Sequence, residues 1–165
     1  MIPAAELKQL MRGKPRLTLA VAESLTCGHV QAAIGAVSGA SDYFLGGITA
    51  YSLEQKGKLL GINRAHARSV NCVSQRVAVE MARGACERFG ADLAVATTGY
   101  AEPSPADGVK VPAAWWALCH GRRSGRAVII TGLIEMPGAT RKQAQERVTR
   151  EVLRQLVVYL REFRG

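Results

Sequence analysis

Between Leu17 and Val37 the chain passes from an apolar run, Leu17–Ala22, into the polar turn Glu23-Ser24-Leu25-Thr26-Cys27-Gly28. Val30, Ala33, Ile34 and Val37 then follow at helical spacing until Ser38-Gly39. A short, nearly continuous apolar run is the mark of a strand buried on both faces, and a strand that turns at once into an amphipathic helix belongs to a sheet covered by helices. Two further apolar runs, Phe44–Tyr51 and Leu93–Thr97, repeat the pattern and alternate with helical segments. The expected fold is α/β: a three-layer α/β/α sandwich with a mixed, mainly parallel central sheet of about five strands, forming a single domain over residues 1–165.

The remaining punctuation fits that frame. Ala4–Met11 reads as a short helix ended by Gly13 and Pro15, and Leu53–Leu60 as another closed by Gly61. Val73–Phe89 is the clearest helix, with Ser74 as N-cap, Val77, Met81, Ala85 and Phe89 on one stripe and Gly90 as its stop. Thr98–Lys110 reads as a loop, and Ala113–Cys119 with Ala127–Glu135 as a hairpin across Gly121-Arg122-Arg123-Ser124-Gly125. Thr140 and Gln143 form a capping box for a long last helix carrying Val148, Val152, Leu156 and Leu160.

Charge enters where partners are considered. Twenty-two Lys and Arg against 13 Asp and Glu leave the chain at +9. Residues 1–16 account for +3 and residues 139–165 for +4, so the excess lies on two terminal helices and reads as a solvated face. With no zinc-finger, helix-turn-helix or RNA-binding aromatic motif beside it, no specific nucleic-acid partner is expected. No window nears the roughly 18 apolar residues of a spanning helix and the N-terminus is charged, so a cytoplasmic protein without a membrane partner is expected. Cys27, Cys72, Cys86 and Cys119 form no CxxC pair, which suggests reduced thiols and no metal site.

Open α/β sheets bind ligands beyond the carboxyl ends of their strands, where loops meet helix N-termini. Three such ends are polar here: Glu23, Ser24, Thr26 and Cys27; Tyr51, Ser52 and Lys56; Thr97, Thr98 and Gly99. A serine beside a desolvated lysine can work without histidine, because the lowered pKa lets the amine take the hydroxyl proton near neutrality. Two plainer assignments stay open at this point, Ser24 as an N-cap for a helix at Thr26 and Lys56 as a solvated helix residue.

Several segments recur in order with those of a known family: AESLTCG (Ala22–Gly28), GASDYFLGGITAYSLEQK (Gly39–Lys56), LLGI (Leu59–Ile62), VSQRVAVEMARGA (Val73–Ala85) and TTGYAEP (Thr97–Pro103). Through them the chain resembles the CinA C-terminal domain family, the nicotinamide-nucleotide amidohydrolases, over roughly residues 5 to 160. The resemblance implies hydrolysis of the carboxamide of nicotinamide mononucleotide to nicotinate mononucleotide and ammonia, with no metal or cofactor. Its implied partners are that small nucleotide substrate and further copies of the chain in a homo-oligomer. The second, molybdopterin-binding-like domain of the larger members is not expected within these 165 residues.

Carried over by residue, the resemblance makes Ser24 the nucleophile or a nucleophile-activating hydroxyl, Lys56 its base and Tyr51 a third catalytic group. Thr26, Gly28, Ser41, Thr98, Gly99 and Arg141 are the implied substrate-binding residues. Departures are visible in the same segments. Ala40 and Leu53 stand where the family has serine and asparagine, Cys27 replaces a glycine, and the glycine-rich G-I-A-G-P loop reads Gly99-Tyr100-Ala101-Glu102-Pro103. The altered loop leaves a non-catalytic homologue as the rival reading, and Cys27 in a first helical turn leaves a thiol enzyme as a third.

Overall fold

The computed structural model describes residues 4–121 and 125–165. In chain order it contains α1 (Ala4–Arg12), β1 (Leu19–Glu23), α2 (His29–Gly35), β2 (Phe44–Thr49), α3 (Leu53–Leu60), α4 (Arg64–Ser69), α5 (Gln75–Phe89), β3 (Leu93–Tyr100), β4 (Ala113–His120), β5 (Val128–Glu135) and α6 (Arg141–Arg164). Two short 3-10 turns, Ala40–Asp42 and Pro105–Asp107, lie between elements. The five strands form one mixed sheet in the order β2-β1-β3-β4-β5. Pairing is parallel on both sides of β1 and antiparallel from β3 outward. β1 sits between two strands and under helices on both faces, and all five of its residues are buried.

The two faces of the sheet carry separate cores. Leu19, Val21, Leu93, Val95 and Leu118 point to one side, where α1, α2 and α6 cover them with Met11, Ile34, Val152 and Leu156. Ala20, Ala22, Ala94, Ala96 and Ala117 point to the other, and these small side chains let α5 lie close through Val77, Met81 and Ala85. At Gly84 the approach is closer still, since a Cβ there would stand 2.1 Å from the carbonyl oxygen of Leu60. The expected α/β/α sandwich is therefore the one observed.

Local signals located most elements. Ser74 Oγ accepts from the Val77 amide at 3.1 Å, and the Thr140/Gln143 capping box is complete. Boundaries near the strand ends differ from expectation. The helix expected from Thr26 begins at His29, β2 stops at Thr49, and β3 continues to Tyr100 because Thr98, Gly99 and Tyr100 pair with Trp115, Ala114 and Ala113. α4 was not foreseen. The hairpin residues Arg122, Arg123 and Ser124 lie outside the described residues.

α1 and α6 pack together and share much of the positive charge, with the Arg161 guanidinium gripping the Glu6 carboxylate through two nitrogens. Among the described residues no helix is long and apolar enough to cross a membrane.

Candidate active site

β1, β2 and β3 run parallel, so the residues that follow Glu23, Thr49 and Tyr100 gather at one end of the sheet. At the end of β1 the chain turns sharply, with Cys27 at φ 48° and Gly28 at φ 95°. The left-handed conformation at position 27 gives a local reason for the family's glycine there, independent of any phosphate.

The fully buried Glu23 carboxylate accepts from the amides of Gly28 (3.0 Å), Val30 (3.1 Å) and Gln31 (2.9 Å). It closes the start of α2, the task that Ser24 would have had as an N-cap. Ser24 is thereby released. Its amide donates to the carbonyl of Thr97 at 3.1 Å, which ties the turn to β3, and its hydroxyl meets Lys56.

Lys56 comes from α3, which Ser52 caps by accepting from the Gln55 amide. Its side chain is only 1% exposed, and Nζ donates to Ser24 Oγ at 2.9 Å and to the Tyr51 carbonyl at 3.0 Å. No carboxylate lies within 4.0 Å among the described residues. Burial therefore pushes the lysine pKa down from its ordinary value, a shift that the nearby Cys72 thiol partly opposes. Burial pushes the Cys72 thiol up.

The pocket over this pair has a volume of about 320 Å³ and is lined by Ser24, Leu25, Tyr51, Lys56, Arg68 and Cys72, among others. Thr98 Oγ1 donates to the Cys72 carbonyl at 2.7 Å, and Thr26 Oγ1 shares a 2.8 Å hydrogen bond with Thr97 Oγ1, so both threonines brace the walls. Gly99 lines the pocket where β4 crosses, since a Cβ would fall 2.3 Å from the Ala113 carbonyl oxygen. Most amides of the Ser24–Gln31 turn are satisfied internally; those of Leu25 and Thr26 have no partner among the described residues.

The other expected residues lie elsewhere. Gly28 belongs to the turn and gives its amide to Glu23. Arg141, at the start of α6, is held on the rim: Nη1 meets Glu102 Oε1 at 2.8 Å and Nη2 donates to the Tyr51 hydroxyl at 2.5 Å. The Tyr51 side chain is 54% exposed and faces that arginine, while its backbone carbonyl holds Lys56. Ser41 precedes β2, at the end of the sheet opposite Ser24 and about 20 Å of strand away. The structure thus brings Ser24, Lys56, Thr26, Thr98 and Gly99 together, sets Tyr51 and Arg141 at the edge, and separates Ser41.

Sequence reasoning gave Glu23 no role and passed over Arg68, Asn71, Cys72 and Tyr100. The Arg68 side chain has no ion pair or hydrogen bond among the described residues and lines the pocket from α4. Asn71 and Cys72 adopt φ 47° and 61°, and Asn71 Nδ2 donates to the Tyr100 hydroxyl at 2.9 Å. The one local signal was Asn63, whose Oδ1 caps α4 through the His66 amide.

Comparison with known proteins bears on this site. Residues 3–160 match the model of the CinA C-terminal domain. A CinA-like protein of Chlorobium limicola is 41% identical over 156 residues, 94% of this chain and 36% of that protein. A putative competence-damage inducible protein of Limosilactobacillus fermentum is 34% identical over 92% of this chain and 35% of its own length. The chain spans about a third of the length of these relatives. Among solved structures, a competence-damaged protein (CinA) superfamily protein of Escherichia coli superposes with TM-score 0.82 at 29% identity, covering 93% of this chain and 86% of that one. A competence damage-inducible protein A of Klebsiella pneumoniae gives TM-score 0.85 at 26% identity, covering 95% and 94%.

Proposed function

The chain belongs to the CinA C-terminal domain family, and on that premise we propose that it hydrolyses a nucleotide carboxamide, that of nicotinamide mononucleotide, by a serine-lysine mechanism. The observation that carries this reading is the 2.9 Å contact between Ser24 Oγ and a Lys56 amine buried without a counter-charge. A lysine so placed has its neutral form within reach, and in that form the contact reverses, with the hydroxyl donating and the amine accepting.

The steps balance with these groups and water. Ser24 Oγ attacks the carboxamide carbon while its proton passes to Lys56 Nζ. The amides of Leu25 and Thr26 stabilise the tetrahedral oxyanion, which α2 cannot do with the amides that Glu23 occupies. Collapse expels ammonia, with Lys56 returning the proton to the leaving nitrogen. Water then attacks the acyl-serine, Lys56 takes its proton and restores it to Ser24, and the carboxylate product leaves.

Glu102 favours a second reading, a non-catalytic homologue with a nucleotide pocket. Its carboxylate neutralises Arg141, the implied contact for a substrate anion. The deciding experiment is ammonia release from nicotinamide mononucleotide beside nicotinamide riboside. Turnover of the mononucleotide supports the amidohydrolase; no ammonia from either, with calorimetric binding of the mononucleotide, supports the homologue.

A further inference from the structure

Away from the serine and lysine, the two edges of the sheet are treated differently. β2 is six residues long, carries a register shift against β1 between Leu19 and Ala20, and has Phe89 and Gln31 lying over Gly46 and Gly47. Short length, irregularity and cover are the usual protections of an exposed edge. β5 is longer and regular, with Gln75 of α5 reaching its Thr131 hydroxyl at 2.8 Å. It runs eight residues in unbroken register with β4, without proline or lysine, and Leu133 is 49% exposed.

The pairing says which backbone groups it leaves open. The Met136 amide donates to the Pro112 carbonyl, so in this antiparallel ladder Ile134, Gly132, Ile130 and Val128 turn their backbone groups toward β4. Ile129, Thr131, Leu133 and Glu135 turn theirs outward, and none of these has another backbone partner among the described residues.

Beside this edge, between β5 and α6, lies a groove of about 720 Å³. Trp116 forms its floor. The side chain is 5% exposed, a Cβ on Gly132 would stand 2.5 Å from its Nε1, and the indole N–H has no partner among the described residues. Arg147 and Arg150 stand along the α6 wall with no ion pair among the described residues, Arg154 is held by Glu151 at 2.7 Å, and Glu135 at the end of β5 is the remaining carboxylate of the lining, which leaves the groove with a net positive charge.

We infer that the β5 edge and its groove bind an extended acidic segment of a partner protein, which adds as a sixth strand. Outward amides and carbonyls of β5 hydrogen-bond its backbone. Because side chains alternate along a strand, every second residue faces the groove, where carboxylates meet Arg147, Arg150 and the Trp116 N–H; the residues between cover Leu133. The charge argument selects this occupant over a second copy of the chain, which would set one +9 molecule and its arginines against another.

The test uses the whole chain and an acetylated, amidated octapeptide of alternating Glu and Val, followed by tryptophan fluorescence and calorimetry at low and physiological salt. Saturable binding that weakens with salt is expected, with a Lys-Val peptide of equal length failing to bind. Leu133→Pro removes one outward amide and leaves the β4 ladder intact, and Arg150→Glu reverses the groove charge; each should weaken binding roughly tenfold or more with an unchanged thermal transition. If Leu133→Pro disturbs the fold, Arg150→Glu alone decides. No binding of the acidic peptide, equal binding of the Lys-Val peptide, or indifference to Arg150→Glu overturns the inference. So does light scattering that finds a dimer of the wild type which Leu133→Pro converts to monomer, because the edge would then belong to a second copy.

Discussion

Lys56 costs the folded protein something, because an amine held at 1% exposure without a carboxylate favours its neutral form. Its pKa is lower folded than unfolded, so between those values the unfolded chain binds more protons. Stability therefore rises with pH through that window, up to the ordinary lysine value of about 10.4. Lys56→Met should raise the neutral-pH unfolding temperature by roughly 2–8 °C, flatten its rise toward alkaline pH and abolish ammonia release; an unchanged or lower transition would count against an uncompensated buried amine. In the wild type the acid limb of kcat/KM should lie below the ordinary lysine value, since activity appears as Lys56 loses its proton. Ser24→Ala and Lys56→Ala should each cut turnover by several orders of magnitude, the double variant falling little further. The exposed Cys27 tests the thiol alternative. Cys27→Gly relieves a left-handed residue and should add about 0.5–1 kcal/mol of stability with full activity; lost activity would return the nucleophile to the thiol.

At the scale of elements, the start of α2 and the rim of the pocket carry the predictions. Glu23→Ala leaves three amides of α2 without their carboxylate and should cost about 2 kcal/mol or more in a urea titration, with turnover falling as the Ser24 turn loosens. On the rim, Glu102→Gly frees Arg141 and should lower KM for nicotinamide mononucleotide several-fold while leaving nicotinamide riboside unchanged. Arg68→Gln should do the reverse, and equal effects on both substrates would remove these arginines from anion binding. The same elements show what was legible in the sequence. α5 and α6 declared themselves because long stripes and side-chain caps are local signals. α4 did not, because six residues hold too few turns for a stripe, and Arg68 went with it. Ser24 and Lys56 were legible as polar residues following strand ends, and the family resemblance joined them as a pair. The grouping of Arg141 with Glu102 and Tyr51 was not legible, because those contacts join residues 39 and 90 positions apart. Ser41 shows the cost of ignoring strand direction: it precedes its strand, whereas Thr98 and Gly99 lie at the carboxyl end of theirs and Ser24 and Lys56 follow theirs.

Across the whole molecule, the basic excess and the pocket are separate matters. The terminal helices α1 and α6 lie together on one face, and neither presents a motif that reads bases. Binding to DNA or RNA in gel shifts should be weak, indifferent to sequence and lost near physiological salt; tight, sequence-dependent retention would refute the solvated-face assignment. The division of tasks between neighbours at the end of β1 reaches further. With Glu23 answerable for the start of α2, the Ser24 side chain has no part in that cap, and descent can alter it without unravelling the helix. A lineage that abandoned its reaction would keep the glutamate while the serine drifted, and one selected for turnover would retain both. Sister sequences sorted by those two adjacent positions should therefore divide into working and retired branches.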